Sequence, residues 1–264
     1  MQSVALEYSR IGFLNMLAFR LRYYTGVITY FINVTVYYFI WRAIFRVDPH
    51  FGGFNFAEMT TYVAVGWIIR SMYFNNIDTE MAEDILEGKI TMAMIKPVSL
   101  QLSYVARSVG ESAFRLLMLS APTAVVLSLV FPMRPPAGPA HFGVFLVSLA
   151  GSVLLVAAMN FIVGACAVRL TSILGLLRAK FWMQDLLSGV LVPITIFPPP
   201  LRAASRLLPF EHIGFTPLMI YLGKIGWPEI GAALAVEALW IVALFLFGAW
   251  FWRLMSRRIT IHGG

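Results

Sequence analysis

The sequence predicts an all-α membrane protein with six transmembrane helices, organised as a single transmembrane domain over residues 1–264. Hydrophobic residues make up 59% of the chain and charged residues only 12%, about half the charged share of a soluble domain. Mean hydropathy is correspondingly high, at +0.79. The apolar runs are continuous and helix-length, whereas a β-barrel strand alternates polarity over about ten residues. Proline and glycine recur inside these runs, which membrane helices tolerate when neighbours satisfy the freed backbone groups.

Taken in chain order, residues 1–22 predict an interfacial helix. Ser3, Glu7 and Arg10 alternate with Val4, Ile11, Leu14, Leu17 and Leu21, a pattern suited to lying at a bilayer surface. The alternative is a basic leader that only sets topology. Glu7, Arg10, Arg20 and Arg22 interrupt the start before any apolar core develops, so no signal peptide is expected. Crossing a hydrocarbon core of ~30 Å takes about 20 helical residues. Six segments qualify: 23–45, 56–74, 100–131, 142–168, 173–197 and 230–254.

Between the second and third segments, residues 77–97 read IDTEMAEDILEGKITMAMIKP and hold five of the chain's 13 acidic residues. Ile77, Met81 and Ile85 recur every four positions, with Ala82 and Leu86 beside them, while Glu80, Glu83, Asp84 and Glu87 form the other face. That spacing predicts a short amphipathic helix. Gly88 suits a left-handed helix end, and Pro97 prevents simple continuation.

Residues 198–226 are apolar but broken by Pro198–Pro200, Pro209, Gly214 and Pro217. The pieces are about ten residues, or ~15 Å as helix, half a bilayer. They predict two short re-entrant helices on the outer side before the last span; the alternative is a loop lying on the surface.

Six spans put both termini on one side. Placing that side in the cytoplasm leaves Arg10, Arg20, Arg22, Lys89, Lys96, Arg107, Arg169, Arg178, Lys180, Arg253, Arg257 and Arg258 inside. Only Arg42, Arg46, Arg134, Arg202, Arg206 and Lys224 fall outside, so the positive-inside rule is met and the acidic helix is cytoplasmic. The net charge of +7 then points to lipid headgroups as partners, with no nucleic acid.

Ionisable residues inside spans are costly and are functional candidates. Glu111 and Arg115 lie one turn apart and are expected to pair with each other. Arg70 either snorkels to headgroups or serves a function. Asp185, near Lys180, bridges helices. Glu237, eight residues into the last span, is the candidate for an interhelical contact or a polar point on a transport path.

Catalytic and metal chemistry find little support. Cys166 is the one cysteine, which excludes an internal disulfide and a cysteine-based metal site. His50, His141, His212 and His262 are scattered, and no Gly-x-Ser-x-Gly elbow occurs. EGKI at 87–90 and GKI at 223–225 lack the remaining parts of a phosphate loop, with Glu83 or Leu218 at the glycine position and Ile90 or Ile225 at the Ser/Thr position. Any ATP chemistry must therefore come from another chain. Tyr23, Tyr24, Trp41, Trp67, Trp227 and Trp252 read as an aromatic belt. Two other classes are an ion-coupled carrier, which needs paired midplane charges and repeated halves, and an intramembrane lipid enzyme using the adjacent Glu211 and His212.

The order of these features resembles the membrane subunit of an ABC-2 type transporter, particularly the six-span permeases encoded apart from their ATPase. The segment ILEGKITMAMIKPVS at 85–99 is similar to that family's short helix leading to a basic-Pro step. LSGVLVPITIFPPPLRAASRLLPFEHIGFTPLMIYLG at 187–223 is similar to its Pro-broken signature before the last span. The resemblance implies that 78–88 is a coupling helix docking a nucleotide-binding ATPase subunit, through Glu80, Met81, Glu83, Asp84, Ile85, Leu86, Glu87, Gly88 and Lys89. It implies an outer gate at Pro198, Pro209, Phe210 and Pro217, and a second permease subunit, identical or related. The substrate path would run between two copies of the first, second and fifth spans. ATP and Mg would sit on the ATPase, with no cofactor on this chain. The resemblance also implies export across a prokaryotic inner membrane, and an apolar, aromatic-rich domain with few buried charges suits an amphipathic or lipid-like substrate or drug.

Overall fold

A computed structural model describes residues 2–17, 21–73, 75–170 and 172–257, with only the backbone at 2, 3 and 21–24. Arg20, Arg258 and His262, all named above, lie outside the described residues, as do position 74 at the end of the second predicted span and the side chains of Ser3, Leu21, Arg22, Tyr23 and Tyr24. The chain is 82% helix with no strand among those residues, which bears out the all-α class.

The elements run α1 (Gln2–Leu17), α2 (Leu21–Val47), α3 (Phe56–Tyr73), α4 (Ile77–Leu86), α5 (Ile90–Met94) and α6 (Leu100–Arg115). A π-helical turn, Leu116–Ser120, joins α6 to α7 (Ala121–Val130). Then follow α8 (Pro139–Ala165), α9 (Leu174–Leu187), α10 (Pro199–Leu207), α11 (Phe215–Tyr221) and α12 (Trp227–Ser256). The π turn sits directly before Pro122. That residue has no N–H to give Met118, and its ring would crowd the Met118 carbonyl.

Among the described residues, four stretches are long and apolar enough to cross a membrane: Thr25–Val47, Leu100–Val130, Pro139–Val168 and Trp227–Ser256. They correspond to the first, third, fourth and sixth predicted spans. The second forms α3, an 18-residue helix carrying Glu58 and Arg70. It is the hub of the main core: Met59, Tyr62, Ile69 and Tyr73 are buried there with Phe114, Leu127 and Leu155 from neighbouring helices.

The fifth prediction needs correction. Residues 173–197 are not one helix: α9 has 14 residues and stops at Leu187, a length of about 21 Å. Gly189 follows at φ 71°, a conformation that ends a helix. Pro193 and the single 3₁₀ turn Ile194–Ile196 carry the chain onward. The broken backbone is satisfied by protein, as non-helical chain at membrane depth requires. Tyr62 Oη donates to Gly189 O at 2.5 Å, and Phe215 N donates to Ser188 O at 2.8 Å.

The N-terminal helix packs directly on α6. Gly12 faces the Arg107 carbonyl and Gly110 faces the Ser9 carbonyl, each so closely that a Cβ would overlap the oxygen. Ser9 Oγ also donates to Ala106 O at 2.8 Å. At the opposite end of α3, Arg134 and Lys224 converge on Glu58 at 3.0 and 2.6 Å. Both had been assigned to the outer side.

Candidate functional site

The acidic insert folds as two short helices at an angle, α4 and α5, joined by Gly88 at φ 74°. The predicted amphipathic pattern is realised, but its apolar side faces the protein. Ile77 and Met81 are fully buried with Ile90, Leu100, Tyr104, Phe161 and Ala165, and Ala82 packs with Ala167 and Ile173. Ile85 is partly buried against both groups.

Three of the five acids also turn inward. Asp78 receives Lys180 Nζ at 2.5 Å, Glu80 pairs with Arg107, and Asp84 accepts from Tyr104 Oη at 2.6 Å. Of the nine residues assigned to docking, Glu83, Leu86, Glu87, Gly88 and Lys89 are exposed, with Glu87 and Lys89 paired to each other. The partner glutamate pushes the Lys89 ammonium above its ordinary value. Met81, being buried, offers no surface.

The exposed tip gains residues that the assignment missed. Leu86, Met92 and Ile95 are 53%, 66% and 76% exposed, and Lys96 is exposed beside them. Met92 and Ile95 are legible as apolar residues after the Gly88 break, but nothing in the sequence shows that the surface continues past it.

Behind the tip lies a polar node. Lys180 Nζ also donates to Asn160 Oδ1 at 2.6 Å. Asn160 Nδ2 donates to Asn75 Oδ1, and Asn75 Nδ2 to Ser108 Oγ, both at 2.8 Å. Five segments thus meet on one chain of hydrogen bonds, which sequence reasoning missed. A single amide, Asn160, in the apolar fourth span was the available signal. Next to the node, Arg70 grips Asp185 with two bonds, Nε–Oδ1 at 3.1 Å and Nη2–Oδ2 at 2.8 Å. Its guanidinium also lies over the Trp67 ring, 5.1 Å from the centroid.

Arg70 is therefore an interhelical ion-pair partner, which corrects the snorkelling alternative. Asp185 does bridge helices, though to Arg70, while Lys180 goes to Asp78. The expected Glu111–Arg115 pair is also corrected. Glu111 forms no ion pair among the described residues; the pair on this helix lies one turn earlier, at Arg107, where α4 brings Glu80 across.

Four helices of spanning length and a broken apolar segment before the last one set the architecture. A family model described as ABC-2 family transporter protein matches residues 31–263. The chain belongs to the ABC-2 transporter family. It is a membrane permease, a transport component. No curated protein matches this sequence.

In this permease the outer segment breaks at Pro198, Pro209 and Gly214, whereas Pro217, expected to be a break, sits inside a helix. Pro198 precedes α10, Pro209 opens the 3₁₀ turn Pro209–Ile213, and Pro217 lies in α11. Pro209, Phe210 and Pro217 are buried, whereas Pro198 is exposed. Glu211 and His212 do not make a charged dyad. His212 Nε2 is 3.8 Å from Glu211 Oε1, but burial lowers the imidazole to about 4 and raises the Glu211 carboxyl, with Arg206 opposing. Glu237 of the permease is buried and accepts from Ser148 Oγ at 2.9 Å, the interhelical contact expected of it.

Proposed function

We propose that this ABC-2 permease is the membrane subunit of an ATP-driven exporter and docks a separate nucleotide-binding ATPase through the α4–α5 tip. The carrying observation is the tip itself: Leu86, Met92 and Ile95 stand exposed together, rimmed by Glu83, Glu87, Lys89 and Lys96. An apolar patch with a charged rim, on a loop the charge bias assigns to the cytoplasm, is a surface for a soluble partner. The charges favour register and encounter rate over raw affinity.

In this reading α3 and α9, the latter with residues 188–198, complete six crossings, and both termini are cytoplasmic in a prokaryotic inner membrane. A second permease copy, identical or related, covers exposed apolar residues of α2 and α9 such as Ile32, Phe39, Trp182 and Leu186, with lipid covering the rest. The outer gate is the segment from Pro198 to Pro217, including Pro209 and Phe210. ATP and Mg act on the partner, and the cargo is amphipathic or lipid-like.

The test is coexpression with a candidate nucleotide-binding ATPase subunit. Glu83→Lys, Glu87→Lys and Met92→Asp together should abolish copurification of the ATPase and leave membrane insertion intact. Undiminished assembly and coupled ATP hydrolysis in the triple variant would remove the tip from the docking surface.

A further inference from the structure

A half-open cavity of about 830 Å³ lies between α1, α2, α3 and α6, with Asn76 and Glu80 on its edge. Arg70, Arg107 and Arg115 contribute to its wall, together with the carboxylates Glu80 and Glu111. Two of the cations are neutralised in place, Arg70 by Asp185 and Arg107 by Glu80. Glu111 stands apart. It is 6% exposed, lines the cavity, and among the described residues its carboxylate makes no hydrogen bond or ion pair.

A carboxylate removed from water without donors is costly, and in a membrane domain it marks a site that something else completes. The missing group is a cation or a set of N–H donors. A metal ion is a poor fit, because no cluster of three His, Cys, Asp or Glu occurs among the described residues. An anion would find Arg70 and Arg107 already paired and Arg115 engaged as well, and would face Glu111 itself. A primary ammonium fits: it donates to Glu111, and Thr29 and Asn33 add polar groups elsewhere on the wall. The remaining wall is apolar, with Leu14, Met16 and Leu119. The cavity is half-open, so a hydrocarbon tail lying along these residues can leave it.

We propose that this cavity binds the primary ammonium head of an amine-bearing amphiphile, with Glu111 as its counter-ion and the apolar chain along Leu14, Met16 and Leu119. The amine comes either from an aminophospholipid of the surrounding bilayer or from a non-lipid amphiphile. The site belongs to the isolated permease and stands without the ATPase-docking reading.

The test is equilibrium binding of dodecylammonium to the full-length permease in phosphatidylcholine nanodiscs, measured above partition into empty discs. Wild type should bind saturably, Glu111→Gln at least about tenfold more weakly, and dodecyl sulfate should bind saturably to neither. Thr29→Trp fills the cavity from α2 and keeps the carboxylate; it should also lose the site, and it decides the matter if the Gln variant does not fold. Replacing phosphatidylcholine with phosphatidylethanolamine identifies the source. Competition in wild type assigns the site to the bilayer lipid, and no competition assigns it to a non-lipid amine. Equal dodecylammonium binding by wild type and Glu111→Gln, or unchanged binding in Thr29→Trp, overturns the proposal.

Discussion

Replacing Lys180 with Met should release α4 from the helix bundle. Lys180 Nζ holds Asp78 at 2.5 Å and Asn160 at 2.6 Å, and the two charged side chains are only 14% and 5% exposed. Removing one member of such a pair leaves the other charge buried and unpaired, which costs 3–5 kcal/mol. Asp78 keeps the Thr79 N–H at 2.8 Å, and the pair borders a small opening of about 240 Å³, so the lower end applies. About 3 kcal/mol corresponds to a roughly 100-fold rise in local opening. Hydrogen exchange of the α4 amides, by mass spectrometry on the permease in nanodiscs, reads this directly, with α12 as an internal control. Lys180→Met combined with Asp78→Asn should restore most of the protection, because the orphaned charge is then gone. Unchanged α4 exchange in the single variant, or a double variant as labile as the single, would refute the argument that this ion pair anchors the helix.

Tyr62→Phe should cost about 1–3 kcal/mol in thermal unfolding, since it strips the hydroxyl that covers the Gly189 carbonyl at the α9 break. Gly110→Leu should push α1 off α6, because the new side chain would occupy the position of the Ser9 carbonyl; limited proteolysis would then cut the N-terminal helix far faster than in wild type. His212 gives a pH dependence of defined sign. Its imidazole is held at about 4, below the ordinary 6.5, so between these values the unfolded chain takes up the proton and the native chain does not. Stability therefore falls on acidification through that window, by up to about 1.4 kcal/mol per pH unit. Glu211, raised by burial, acts in the opposite direction. The difference between wild type and His212→Gln across pH 7 to 5 isolates the histidine, and parallel melting profiles would contradict it.

The helices with the strongest apolar runs were legible because a spanning length is a property of local composition: 100–131 was predicted and Leu100–Val130 was found. The fifth span was not. Its residues 188–197 are apolar enough for helix, but Gly189 and Pro193 act on backbone geometry, which a hydropathy window averages away. The breaks at Pro198, Pro209 and Gly214 were visible for the converse reason, since several breakers fall in one short stretch. Amphipathicity gave α4 its face but not the identity of its cover. Ile77 and Met81 could have met an outside partner or α8, and only tertiary packing distinguishes the two. Charge partners were the least legible part. Glu111 and Arg115 are neighbours in sequence, yet the bonds that form, Arg70–Asp185 and Lys180–Asp78, join residues more than 100 positions apart.

Those two bonds define how a load on the tip would travel under the docking reading. Only Gln184, Asp185 and Leu187 of the 14-residue α9 are buried, so this helix has little apolar packing to fix it. Its position is set by Lys180 reaching α4 and Asp185 reaching α3. Buried ion pairs add little net stability but are demanding in geometry, which makes them suited to holding a register. Beyond Leu187 the chain turns at Gly189 and leaves the helical path. A displacement of α4 therefore has a rigid route into α9, and that helical route ends at Leu187. The outer half of the fifth segment, resting on Tyr62, need not follow the inner half.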